Sequence, residues 1–154
     1  MKILRPILFL ALALSVFTAC SKDGEEELQG KPIQQTKIAE GTLSSAETVP
    51  SQHLLISSEE DWKALIAALQ QHNPDVLHWF SETEVDFDQF QVLALIDEVR
   101  PHSGYYLSIS EVLETETQIE VKLQQGHTAE GFTVLSQPFY IARIARTDKP
   151  VKFF

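Results

Sequence analysis

Five histidines, one cysteine and a serine next to a histidine are the residues of this 154-residue chain whose types suggest chemistry. The histidines are His53, His72, His78, His102 and His127. A zinc site needs several nitrogen or sulfur ligands, and a helical pair of them is spaced as in H-E-x-x-H. No two of these histidines have that spacing, and Cys20 has no second cysteine to join it. His102-Ser103-Gly104 puts a base beside a hydroxyl. Adjacent residues in a tight turn point apart, and no acid is placed to orient His102 as a triad requires. There is no G-x-S-x-G nucleophile elbow, and no Gly-rich loop opens a helix to cradle phosphate. The expectation is a protein that is not an enzyme and holds no metal or cofactor.

The chemistry assigned to Cys20 is lipidation. Lys2 and Arg5 give a basic start, Ile7 to Phe17 is apolar, and Thr18 and Ala19 are small residues before the cysteine. That is the layout of a secretory signal with its cleavage site. The apolar run falls short of the roughly 20 residues that span a bilayer. A cysteine directly after such a site resembles the lipobox, whose thiol is acylated; Phe17 stands where leucine is usual. A lone cysteine in an exported chain has no disulfide partner, which fits another job. Residues 1–19 are therefore read as a signal peptide, and the rest as tethered to a membrane through Cys20.

The full chain carries a formal charge of −10, and losing Lys2 and Arg5 makes it more negative still. Such a chain is repelled by phosphates, so nucleic acid is not expected as a partner. Residues 20–35 begin polar and acidic, with Glu25, Glu26 and Glu27 in a row and few large apolar residues. Such a segment buries too little surface to offset its ordering entropy and is read as a flexible tether. Acidic residues just after the cysteine resemble an export signal of surface lipoproteins in some Gram-negative bacteria, although Gly24 interrupts the run. Ser21, not aspartate, follows Cys20, so the usual inner-membrane retention signal is absent. The location read from this is the bacterial outer membrane, facing the periplasm or the surface.

Behind these residues stands one domain, expected over 36–154. Residues 36–43 and 52–56 read as strands, with Ser44, Ser45 and Pro50 between them in a loop. A helix follows. Ser57 with Glu60, or Ser58 with Asp61, offers a capping box, and Glu59, Glu60 and Asp61 suit the positive end of its dipole. Trp62, Leu65, Ile66 and Leu69 form one apolar stripe. The helix should end near His72, because Pro74 disfavours helix at Asn73. Val76 to Phe80 reads as a short turn of helix, pinned to the core by Trp79 and Phe80. His72 and His78 are expected at the surface or at an interface.

Everything later reads as strand. Val92 to Ile96 is continuously apolar, the mark of a central strand covered on both faces. Tyr105, Leu107 and Ile109 alternate with polar partners, as do Ile119, Val121 and Leu123. Gly126 and Gly131 bracket a loop. Phe139 to Ile144 is a further strand, and Val151 to Phe154 ends the sheet. The expected class is α+β, with a mostly antiparallel sheet and one main amphipathic helix.

Arg100-Pro101-His102-Ser103-Gly104 is a turn. Pro101 fixes φ, and Gly104 supplies a positive one. Arg100, His102 and Tyr106 would lie near its surface as a partner-contact patch, with Ser136, Gln137 and Pro138 beside it. Pro138 is expected to begin an edge strand. An open edge would also accept a peptide by β-augmentation, but the residues do not say which edge is open.

The succession Val92–Ile96, Arg100 to Tyr105, Leu107-Ser108-Ile109 and Ser136-Gln137-Pro138-Phe139-Tyr140-Ile141 resembles the PrcB C-terminal domain family, called protease complex subunit PrcB. It covers about residues 85–153. The family pattern usually carries Gly-Gly-Tyr where this chain has Ser103-Gly104-Tyr105. The resemblance implies a lipoprotein that associates with a surface protease complex and supports its assembly. The functional expectation is a lipid-anchored, non-catalytic binding or assembly module for an envelope protein or protease. Two alternatives are a carrier of a small ligand and an envelope enzyme with an unrecognised site.

Overall fold

Two strands with no polar face set the architecture. The computed structural model describes residues 30–43, 49–128 and 131–154. Cys20, the signal segment, most of the expected tether, and Ser44 and Ser45 lie outside these. The elements in chain order are β1 (Lys31–Pro32), β2 (Thr36–Leu43), β3 (Gln52–Ile56), α1 (Glu59–His72), β4 (Phe90–Ile96), β5 (Tyr105–Glu114), β6 (Ile119–His127), β7 (Gln137–Ala145) and β8 (Val151–Phe153). A 3-10 turn at Val76–Trp79 follows α1. The fold is α+β, and its strands form two mostly antiparallel sheets rather than one.

One sheet has the order β2-β7-β4-β3 and the other β1-β5-β6-β8. β4 and β7 are interior strands buried on both sides. Val92, Ala94, Ile96, Phe139 and Ile141 point to one face, where Trp62, Leu65 and Leu69 of α1 cover them. Leu93, Leu95, Tyr140, Ala142 and Ile144 point to the other, against Leu107, Ile109, Val112, Ile119 and Val121. The layers are therefore sheet, sheet and helix. Covering on two faces explains the continuous apolar run of β4, and one solvated face explains the alternation in β5 and β6.

α1 starts in the second of the two cap registers. Ser58 is the N-cap, and its hydroxyl accepts from Asp61 N at 3.2 Å. Ser57 is used otherwise: its Oγ accepts from Gln91 Nε2 at 3.0 Å. Asn73 N donates to Leu69 O, which closes the helix before Pro74. Phe80 packs on the helix-side core, its ring 6.0 Å from that of Trp62. Trp79 covers rather than enters that core: it is 40% exposed, lying over Gly41 and 5.7 Å from Phe139.

Two expectations need correction. The tether does not run to residue 35. Lys31 and Pro32 pair with Glu114 and Leu113, Ile33 N donates to Val112 O, and Ile33 packs on the inter-sheet core. One apolar side chain with a partner strand to hold is enough to order that stretch. The mostly antiparallel class holds, with the C-terminal strand pairing in parallel, Ile119 with Val151 through Val121 with Phe153. Pro138 does not begin an edge strand, because β7 lies between β2 and β4. Asp97 N donates to Pro138 O, so the register asks Pro138 for an N–H aimed at Asp97 O. Proline has none. Gln137 Nε2 reaches Asp97 O instead, at 2.9 Å.

Candidate functional site

The turn after β4 is held by ion pairing before it presents anything. Arg100 donates from Nε to Asp97 Oδ2 at 3.0 Å and from Nη2 to Asp97 Oδ1 at 2.8 Å. Its Nη1 lies 2.8 Å from Glu98 Oε1. The Asp97 side chain is 6% exposed and that of Arg100 22%. A planar guanidinium facing a carboxylate in this two-point way is strong and directional. The hydrogen bonds to Asp97 keep Arg100 charged even more firmly than usual. Its backbone also exchanges both bonds with Ser136. Arg100 is thus a positioning residue, with its donors engaged by Asp97 and Glu98.

What it positions is an aromatic group around Tyr105. The Arg100 guanidinium carbon lies 5.2 Å from the Tyr105 ring centre. His102 stacks on that ring at 5.4 Å and 16°, and His127 meets it edge-on at 5.3 Å and 71°. Gly104, with φ of 92°, reverses the chain to bring His102 back over Tyr105. Tyr106 points to the opposite face of the strand and is 43% exposed. It lies over Gly126, where an added Cβ would come 2.5 Å from its hydroxyl and push the ring aside. Asp97, Arg100, Tyr105, Tyr106, Gly126 and His127 line an open depression of about 190 Å³.

The loop before β7 completes this end. Ser103 N donates to Phe132 O at 3.0 Å, and Phe132 N donates to Ser103 Oγ at 2.9 Å. Ser136 Oγ donates to His102 O at 2.6 Å. With its backbone fixed on the turn, the loop turns its apolar side chains outward. Phe132 is 84% exposed, Leu135 51% and Val134 44%. Large apolar side chains scattered singly over a surface need no explanation, but three exposed within one four-residue stretch are a concentration that does.

Of the expected contact residues, His102 and Tyr106 are exposed here, while Arg100 is engaged within the turn. Ser136 lies beside the turn as expected, and Gln137 and Pro138 sit behind it in the core. Phe132, Val134 and Leu135 were not singled out from the sequence. The available signal was a short apolar run just after Gly131, too short and irregular to pack as a strand. Cys20 lies outside the described residues. The Ser103 hydroxyl accepts from Phe132 N, and His102 stacks on Tyr105, so the two side chains have separate partners. Among the described residues, no three His, Cys, Asp or Glu side chains converge in a way that would hold a metal ion, and no helix is long and apolar enough to cross a membrane.

No family model, no curated protein and no solved structure matches the chain.

Proposed function

We propose that this protein is a lipid-anchored binding and assembly module of a bacterial cell envelope. Cys20 carries the anchor, and the end built by Arg100–Tyr106 and Phe132–Leu135 meets a partner protein. The supporting observation is the exposed apolar stretch Phe132, Val134 and Leu135, held in place by the backbone of an ion-paired turn. Burying three such side chains would contribute about 1.5–3 kcal/mol each to association before its costs. A protease complex as the partner belongs to the resemblance to the PrcB C-terminal domain family and stands with it.

The test is affinity capture of the tagged full chain from detergent-solubilised envelope, alongside Phe132→Asp. A discrete partner should copurify with the unaltered chain and fall about tenfold or more with the variant, a loss of about 1.4 kcal/mol. Recovery of the protein alone under several growth conditions, or equal recovery with both chains, would overturn the reading.

A further inference from the structure

The sheet edges of this protein are not equally protected. β1 is two residues long, a lysine and a proline. β2 carries Lys37 and Glu40, shifts register between Lys37 and Ala39, and is partly covered where Phe80 bridges Ala39 and Ser81 N donates to Ile38 O. β8 is three residues long with Lys152 in the middle. Short length, charge, proline, irregular register and covering are the usual devices that stop an edge from pairing with another chain. Among the described residues, β3 has none of these. Gln52-His53-Leu54-Leu55-Ile56 holds no charged residue and no proline, and it pairs with β4 in unbroken register.

Its free backbone groups can be named. Asp97 N bonds to β7, so alternation sends Leu95 and Leu93 toward β7, and Ile96, Ala94 and Val92 toward β3. Their register partners Gln52, Leu54 and Ile56 use their N–H and C=O on β4. His53 and Leu55 therefore turn theirs outward. Among the described residues no strand pairs with that side.

Beside this edge runs a groove of about 300 Å³ between β3 and α1. Leu54, Leu55 and Ile56 form one wall, and Ala64, Leu65 and Ala68 the other. Ala64 and Ala68 are one helical turn apart, and their small side chains leave the space. Two outward donors and two outward acceptors at a two-residue spacing suit an extended backbone, and an adjacent apolar groove suits one of its side chains.

We propose that β3 and this groove bind an extended peptide segment of a partner protein, added as a fifth strand, with an apolar side chain seated against Ala64 and Ala68. Charge narrows the occupant. Asp61 also lines the groove and the chain carries −10 overall, so a neutral or basic segment fits and a second copy of this chain is repelled. The proposal deepens the binding-module reading and rests on it, but uses a surface other than the Phe132 loop.

The experiment pans the full chain, in detergent, against a phage-displayed library of short random peptides. Recovered peptides are synthesised, together with copies N-methylated at alternate residues. A bound peptide should slow amide exchange of His53 and Leu55 about tenfold and leave Leu54 and Ile56, already paired, unchanged. Ala64→Arg, an exposed helix substitution that fills the groove, should weaken binding about tenfold, and so should N-methylation. Phe132→Asp should leave it unchanged. The proposal is overturned if no peptide is recovered, if bound peptides protect neither amide, or if Ala64→Arg has less than about a twofold effect. It is also overturned if sedimentation shows a dimer that protects the same amides, because a second copy would then fill the edge. Loss of binding with Phe132→Asp but not Ala64→Arg would move recognition to the loop, sinking this proposal while leaving the binding-module reading intact.

Discussion

At residue scale the most informative side chain is Gln137, which stands in for the N–H that Pro138 lacks. Its Nε2 donates to Asp97 O at 2.9 Å and to Val49 O at 2.6 Å, and its Oε1 accepts from Val49 N at 3.2 Å. Gln137 is 3% exposed, so water cannot easily replace it. Gln137→Leu keeps the volume and strands those three backbone groups. Urea denaturation should show a loss of about 3 kcal/mol or more, from a cost of about 1–3 kcal/mol for each buried group left unpaired. A loss under about 0.5 kcal/mol would mean the groups find other partners. Tyr140 gives a pH signature. Burial, the largest cause, and the nearby Glu40 raise its pKa, while Lys37 lowers it, and the net shift is upward. With the folded value above the unfolded one, Tyr140 costs no stability below the ordinary value near 10. Above it the unfolded chain ionises first, and stability is lost as pH rises toward the folded value. Tyr140→Phe should flatten that alkaline decline in denaturation curves; an unchanged slope would remove Tyr140 as its source. Pro138 was misread from sequence because a proline rule considers one residue, while the compensating donor sits on its neighbour's side chain.

At the scale of elements, local signals were legible where local forces decide. β2 and β3 fall on 36–43 and 52–56, and α1 ends at His72. The start of α1 offered two cap registers with equal sequence support. The choice between them is tertiary, since Gln91 on β4 takes the Ser57 hydroxyl and leaves Ser58 for the cap. Ser58→Ala should therefore lower stability by about 1 kcal/mol in thermal or urea unfolding. A cost confined to Ser57→Ala would reverse the assignment. The division into two sheets was not legible, because alternation reports which face is wet and not which strand lies alongside. The parallel pairing of β8 with β6 was hidden for the same reason: three residues carry no direction. The exposed loop was equally silent, since Phe132, Val134 and Leu135 look like core residues until their surroundings are known.

At the scale of the whole molecule, the domain and its anchor separate cleanly into two expectations. Cys20→Ala should abolish membrane association, read by pelleting of the tagged chain with membranes, and leave the far-ultraviolet circular dichroism of the domain unchanged. A variant that still pellets with membranes would remove the lipid anchor from the account. The order in which the strands appear along the chain has a consequence of its own. β7, from Gln137 to Ala145, is the shared neighbour of β2 and β4. Until it is present, β2 has no partner strand, and Leu93, Leu95, Val92 and Ala94 have a neighbour on one side only. Pairing across about a hundred positions, from Thr36 to Arg143, is slow because the loop must close before contacts reward it. A ribosome or a translocation channel releasing this chain from its N-terminus would let go of most of it before its central sheet could lock. If the chain is exported as proposed, the late arrival of the middle strand is a built-in delay on folding while it threads the membrane.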